Sequence, residues 1–100
     1  MNRVGVTPQM MSALTVTGDS VKNSAGEDLG RIEDLVIDVQ SGRVNYAVLS
    51  FGGFLGVAGK LFAVPWEALE FDADSHAFIL DIEKAALVDA PEAEPVYWPT

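Results

Sequence analysis

The segment 51–71, "FGGFLGVAGKLFAVPWEALEF", raises the first question of chemistry because it holds four glycines beside short apolar runs. A glycine-rich segment binds phosphate when its backbone N–H groups lead into a helix N-terminus. Here Gly52, Gly53, Gly56 and Gly59 lie between two apolar stretches, and Gly-Gly-x-x-Gly has the spacing of neither a dinucleotide fingerprint nor a P-loop. We therefore interpret the segment as a structural loop in which glycine supplies a positive φ and close backbone approach.

Carboxylates near the middle of the chain are the next candidates for chemistry. Glu33, Asp34 and Asp38 are clustered acids of the kind that general acid–base catalysis uses. No nucleophile, second base or oxyanion group accompanies them nearby in the sequence. Their simpler interpretation is a β-bulge followed by a solvated strand face.

His76 is the single histidine and lies in "DADSHAF". Asp72, Asp74, His76 and Glu83 occupy positions one, three, five and twelve of a calcium-loop count, but Ala77 replaces the glycine that such a loop requires. A polar hairpin turn explains the same residues. With no cysteine in the chain, thiolate chemistry is excluded as well. The sequence thus predicts no catalytic residue, no metal site and no cofactor.

Composition narrows the classes of partner. The chain has 100 residues, 49% hydrophobic and 21% charged, which fits one globular domain. Six basic against fifteen acidic residues give a net charge of −9, so we expect no direct nucleic-acid binding, and a basic protein surface is the more fitting partner. The start lacks a signal-peptide h-region and no stretch is long enough to span a membrane, so we expect a cytoplasmic protein without a transmembrane segment.

Turn-forming residues at regular intervals favour a meander of short β-strands. Turn formers cluster in "NSAGED", "QSGR" and "DADSH", between runs rich in Val, Ile, Leu and Phe. The segment 44–51, "VNYAVLSF", is largely apolar in both alternating registers, so both faces are expected to be covered. In "LGRIEDLVIDV" the apolar register changes after Ile32, which predicts a β-bulge near Glu33 and Asp34. Pro65 ends the strand "KLFAVPW" because proline cannot donate to a ladder.

The end of the domain has helical character. In "DIEKAAL", Asp81 suits a helix cap, Glu83 suits the first turn, and Ile82, Ala85 and Ala86 fall on one helical face. We therefore predict one short helix there.

The two ends of the chain are expected to be irregular. The predicted domains are a flexible N-terminal arm over 1–12, a barrel over 13–91, and an extended acidic, proline-rich tail over 92–100. Tyr97 and Trp98 in the tail are costly to leave in water, so docking onto a groove or a partner and simple disorder both stay open.

From Ala13 to about Pro91 the sequence resembles the PRC-barrel domain, named for the cytoplasmic domain of the photosynthetic reaction centre H subunit and shared with a bacterial ribosome maturation factor. The resemblance is carried by "NSAGEDLGRIEDLVIDVQSGRVNYAVLSFGGFLGVAGKLFAVPWEAL". Within it are a Gly-Glu-x-Leu-Gly-x-Ile-x-Asp opening, an Asp-x-x-Ser-Gly-Arg turn and a Gly-Gly-Phe-Leu-Gly…Lys-Leu-Phe-Ala-Val-Pro-Trp block. The resemblance implies a mainly β fold, a small six-stranded antiparallel barrel used for protein contacts, without family-wide catalytic residues. This chain looks like a stand-alone member.

We therefore predict a non-enzymatic interaction module that homodimerises and binds an unidentified protein, for which a basic surface is expected. The predicted interface is the apolar surface of Phe51, Phe54, Leu55, Val57 and Phe62. Structural roles in the same segment are assigned to Gly52, Gly53, Gly56, Pro65 and Trp66, the last as a core residue or barrel-end plug. The alternative is a small-molecule-binding barrel or an enzyme with an unrecognised site.

Overall fold

A computed structural model of the protein describes residues 10–52 and 59–91. It contains six strands, which are β1 Ser20–Lys22, β2 Asp28–Asp38, β3 Arg43–Phe51, β4 Lys60–Pro65, β5 Leu69–Asp72 and β6 Ala77–Leu80. Two short helices flank them, α1 Ala13–Val16 and α2 Lys84–Asp89, and one 3-10 turn, Trp66–Ala68, joins β4 to β5. The predicted mainly β class with six strands is confirmed.

One sheet contains all six strands in the order β4-β3-β2-β1-β6-β5 and curls into a half-barrel. Four of the five neighbouring pairs are antiparallel, as expected, whereas β1 and β6 run parallel, with Val21 opposite Phe78. A parallel pair cannot be joined by a tight hairpin, and here strands β2 to β5 form the long connection between β1 and β6. The two edge strands, β4 and β5, are consecutive in the chain and are connected by the 3-10 turn.

The bulge predicted in β2 is confirmed. Ile32 lies opposite Leu49 and Asp34 lies opposite Val48, so Glu33 is the extra residue between two regular pairs. The backbone N–H of Leu35 donates to Asp34 Oδ1 at 2.8 Å. The bulge moves the apolar side chains onto the other register and bends the strand, which helps the sheet to curl.

Close backbone approach fixes the start of the β2–β3 ladder. Gly30 has a φ of +122°, and a Cβ built on it would lie 2.0 Å from the carbonyl oxygen of Ser50. A side chain at this position would collide with backbone, which cannot rotate away as a side chain can. Only glycine fits here, for both the dihedral angle and the space.

Apolar side chains are buried on both faces of β3, since Ala47 and Leu49 belong to the main core cluster whereas Val48, between them, points to the other face. The most deeply buried are Leu29, Ile32, Leu49, Val21 and Val48. Phe78 on β6 adds an aromatic contact with Trp66, at 5.8 Å between ring centroids, and another with Phe71, at 5.1 Å. These three rings hold the 3-10 turn and the β5–β6 hairpin against the core.

The helices differ from the sequence-based expectation. Helix α2 begins at Lys84 with Glu83 as its N-cap, and no side chain caps it. The prediction that Asp81 is the cap is wrong, because its carboxylate instead accepts a hydrogen bond of 2.8 Å from Ser24 Oγ, far away in the sequence. Leu87 is the buried residue of α2, while Ala85 and Ala86 of the predicted apolar face are exposed.

Helix α1 was not expected at all. Its N-cap is Ser12, whose Oγ accepts a hydrogen bond from the N–H of Leu14. Just before the helix, Met11 packs against the core, and within it Val16 is buried. Four residues are too short to show helical periodicity, so only these tertiary contacts reveal the element.

Candidate functional site

Part of the predicted interface lies at the ends of β3 and β4, on either side of residues 53–58. Phe51 and Phe62 lie on the same face, with ring centroids 6.5 Å apart in an edge-on arrangement, and both are half-buried. Gly52 next to them is exposed and has a φ of +78°. We call this region, defined by Phe51, Gly52, Lys60 and Phe62, the loop end. The other predicted residues of the segment, Gly53, Phe54, Leu55, Gly56 and Val57, fall outside the described residues.

Lys60 carries the single charge of the segment "FGGFLGVAGKLF". Its Nζ donates to the backbone carbonyl oxygens of Val88, at 2.6 Å, and Ala90, at 3.2 Å. These are carbonyl groups at the C-terminal end of α2, where a cation is favoured by the helix dipole. The charge is thereby directed to a neighbouring element of the same chain.

A polar cleft of about 430 Å³ adjoins the loop end. Its lining includes Ser20, Asp28, Arg31, Ser50 and Lys84. Asp28 is partly engaged within the chain, because its Oδ1 accepts a hydrogen bond of 3.0 Å from the N–H of Gly30. Arg31 and Lys84 are exposed and give the cleft a basic character that the acidic chain has in few places.

An apolar groove of about 240 Å³ lies elsewhere on the half-barrel. Its lining comes from Met11 and α1, from β2 and β3, and from the 3-10 turn, β5 and β6. It includes Met11, Leu35, Ile37, Val44, Trp66 and Phe71. We call it the apolar groove. Trp66, predicted to be a core residue or a barrel-end plug, is half-buried and packs against the core. Pro65, which precedes it, is exposed at the end of β4.

Exposed apolar side chains occur in the lining and next to it in the sequence. Ile37 lines the groove and is 49% exposed. Met10 and Leu14, which neighbour lining residues of the groove, are 89% and 85% exposed. Sequence reasoning missed this surface because its residues lie in six separate stretches. The available signal was the apolar phase of β2 beyond the bulge, which continues to Ile37 where the strand leaves the core.

The acids and the histidine that the sequence singled out do not form one site. Glu33, Asp34 and Asp38 are exposed on β2, while Asp72 binds the turn it belongs to, accepting from the N–H of Asp74 and from Ser75 Oγ. The predicted polar hairpin between β5 and β6 is confirmed. Across 10–52 and 59–91, no group of three or more potential ligands is placed to hold a metal ion.

His76 belongs to the same hairpin and has a positive φ of 50°. Its ring meets Phe71 edge-on at 5.2 Å between ring centroids, and its Nε2 lies 3.5 Å from Asp19 Oδ1. The other oxygen of Asp19, Oδ2, is buried and has no hydrogen-bond partner among the described residues. His76 therefore tethers the hairpin to the loop that precedes β1.

Residues 8–87 match the family model described as PRC-barrel domain. No protein with a curated description matches the chain. None of the helices in the described ranges has the length and hydropathy needed to cross a membrane. The cytoplasmic location, the domain boundaries and the dimer interface stay predictions.

Proposed function

This chain belongs to the PRC-barrel domain family, and we propose that it is a non-enzymatic protein-interaction module that forms a homodimer. Domains of this family are small modules that often take part in protein interactions. The observation that carries the proposal is that Phe51 and Phe62 are only half-buried and flank a segment with a single charged residue, Lys60.

The loop end has more apolar side chain than the half-barrel covers. Both phenylalanines pack edge-on yet keep part of their surface in water, and Lys60 is occupied by the carbonyl groups of α2. Between them the sequence adds Phe54, Leu55 and Val57 without a further charge. Exposed apolar surface is typical of interfaces, so we propose that this segment adds to the contact made by Phe51 and Phe62.

A twofold dimer is the simplest way to cover such a surface. The same apolar surface of each copy then contacts its counterpart on the other copy, and neither stays exposed to water. A fully buried large apolar side chain contributes about 1.5–3 kcal/mol. Two such anchors from each chain give about 6–12 kcal/mol in all, before the entropic cost of association is subtracted. Micromolar association needs about 8 kcal/mol after that cost, so it requires anchors at the upper end of this range.

The test is the double variant Phe54→Asp/Leu55→Lys, measured by light scattering and circular dichroism. We expect dimeric wild type and a folded, monomeric variant. Its matched control is Val39→Asp/Gln40→Lys, which places the same charges at exposed positions in the β2–β3 turn and should stay dimeric. A wild type that is monomeric at high micromolar concentration contradicts the proposal. Unfolding of the loop variant also contradicts it, since those residues then belong to the core.

The wider partner is proposed to be another protein, with a basic surface. The net charge of −9 disfavours binding to nucleic acid, because no counterions are released from phosphates by an acidic chain. We therefore expect no shift of duplex or single-stranded probes in a gel. Tight binding of either probe that weakens with salt would contradict this part of the proposal.

Small-molecule binding is the second candidate function, and the polar cleft favours it. At about 430 Å³ the cleft is within the size range of ligand pockets, about 300–1,000 Å³. Arg31 and Lys84 would suit an anionic ligand. An NMR titration with phosphate and small dicarboxylates tests this function. If a ligand binds in the cleft, the chemical shifts of Ser20 and Ser50 change saturably, and these changes disappear in Arg31→Ala/Lys84→Ala.

A further inference from the structure

We propose that the apolar groove binds a basic segment of a partner protein by receiving its apolar side chains. This inference rests on the proposed function, and it adds to it a second surface, away from the loop end, and the chemical class of the partner. Three observations support it, namely the aromatic floor, the size and surroundings of the cavity, and the charges next to it.

The floor of the groove is aromatic and held in place by the core. Phe78 is buried, and it contacts the rings of Trp66 and Phe71, both of which also line the groove. Trp66 and Phe71 are half-buried, so part of each ring packs against the core and part stays exposed. Aromatic residues held in this way lose little conformational entropy on binding and are common hot spots of interfaces.

The size of the groove fits side chains better than a cofactor. Its volume of about 240 Å³ lies below the range of about 300–1,000 Å³ for small-molecule pockets. Ile37 in its lining is 49% exposed, and Met10 and Leu14, the sequence neighbours of the lining residues Met11 and Ala13, are exposed as well. An amphipathic segment covers both the cavity and its surroundings, since its row of apolar side chains is longer than the cavity.

The charged residues around the groove indicate whether an acidic, a neutral or a basic partner segment would bind there. Five acids are direct sequence neighbours of residues that line the groove, namely Asp34, Asp38, Glu67, Glu70 and Asp72. The carboxylates on a strand point to the face opposite the lining residues, so these acids act on the groove through the field of the whole surface, together with the net charge of −9, and not by direct contact. The corresponding basic neighbour in the described ranges is Arg43, which lies opposite Asp38 in the β2–β3 register. The groove therefore lies in a negative field that attracts Lys and Arg.

A second copy of this chain fits the groove less well. It would bring the same acids and the same net charge of −9 to the contact, which opposes association at low salt. The two occupants consequently differ in their response to salt, since added salt strengthens contact between like-charged copies and weakens contact with a basic segment.

Designed peptides provide the probe. They are amphipathic helices of roughly 15–18 residues with one row of leucines, whose polar positions are all Lys, all Gln or all Glu. A fourth peptide keeps the Lys content but scrambles the leucine row. Trp98→Phe leaves Trp66 as the sole tryptophan of the chain, so its fluorescence reports occupancy of the groove. We expect the Lys peptide to bind saturably, at least tenfold more tightly than the Gln peptide, and to weaken as salt is added.

Two pairs of variants locate the binding. Ile37→Asp places a charge in the groove, and Val88→Asp places it on α2 at an apolar residue of similar exposure, 49% against 53%. We expect the first to weaken the Lys peptide at least tenfold and the second to leave it unchanged. Glu67→Lys/Glu70→Lys should also weaken the Lys peptide, whereas Glu83→Lys, outside the groove, should not.

Several results would overturn the inference. They are the absence of saturable binding, equal binding of the scrambled Lys peptide, and equal loss in Ile37→Asp and Val88→Asp. Conversion of a wild-type dimer to monomer by Ile37→Asp would show that a second copy occupies the groove, and would overturn it too. If Phe54→Asp/Leu55→Lys abolishes the dimer while no peptide binds the groove, the proposed function stands and only this inference fails.

Discussion

The loop end and the apolar groove belong to the same curled sheet but are built by different means. Next to the loop end, backbone meets backbone, because Gly30 of β2 approaches the Ser50 carbonyl where no Cβ fits. At the groove, side chains meet from six separate parts of the chain, with Trp66 and Phe71 in contact with Phe78 and with Leu35 packed against the same core. The first region depends on local dihedral angles, and the second depends on the completed fold.

This difference affects how each region tolerates change. A backbone contact has no rotamer to adjust, so a single added carbon must displace a strand. A packed aromatic cluster adjusts partly when one ring is replaced, and its loss is graded by volume. Substitutions at the two regions should therefore differ in size, and the following predictions test that order.

Gly30→Ala should have the largest effect. We expect a loss of about 3–5 kcal/mol in the free energy of unfolding, from an unfavourable φ together with a collision between Cβ and the Ser50 carbonyl. Gly42→Ala is the control, since Gly42 has a φ of +76° but nothing within 4 Å of an added Cβ. It should lose only about 1 kcal/mol, from the dihedral angle alone. Equal losses in urea denaturation would show that space is not the limiting factor at Gly30.

Phe78→Leu should have an intermediate effect. It removes the ring contacts to Trp66 and Phe71 but keeps an apolar side chain in place, so we expect a loss of about 1.5–3 kcal/mol. The emission of Trp66 should shift to the red as its packing loosens, in the Trp98→Phe background. Ile79→Val, on the neighbouring position of β6, should cost about 0.5–1 kcal/mol and leave the emission unchanged. A red shift in both variants would mean that β6 as a whole has loosened.

Lys60→Met should have the smallest effect. It removes two hydrogen bonds to the carbonyl groups at the end of α2, in a half-exposed position, so we expect a loss of about 1 kcal/mol. The loss should shrink as salt is added, because salt screens the interaction with the helix end. Lys84→Met removes the same charge from the opposite end of α2 and should be neutral or slightly stabilising. A loss in Lys84→Met equal to that in Lys60→Met would assign the effect to net charge rather than to the helix end.

Local signals predicted a large part of the fold. Turn formers placed the three turns, between β1 and β2, β2 and β3, and β5 and β6, and the change of apolar register located the bulge at Glu33. Pro65 ended β4 where expected. Each of these features depends on a few adjacent residues, because φ preference, donor loss and side-chain alternation act over short distances.

Local signals also had clear limits. Asp81 looked like a helix cap, but Ser24 holds its carboxylate from across the chain, and α1 has too few residues to show a period. The parallel pairing of β1 with β6 has no sequence signature in either strand. For the candidate site, the sequence identified the apolar segment that Phe51 and Phe62 flank, and it missed the apolar groove entirely.

The sequence by itself determined the turns between short strands, the bulge in β2, the acidic character of the chain and the apolar segment at the loop end, while the number of strands followed from the family resemblance. The tertiary structure decided which strands pair, what Asp81 and Lys60 contact, and that Met11, Ile37 and Trp66 line one groove. The physical reason is the range of the forces involved. Steric limits on the backbone act between neighbours in the chain, whereas the burial of apolar surface acts between whichever residues the completed fold brings together.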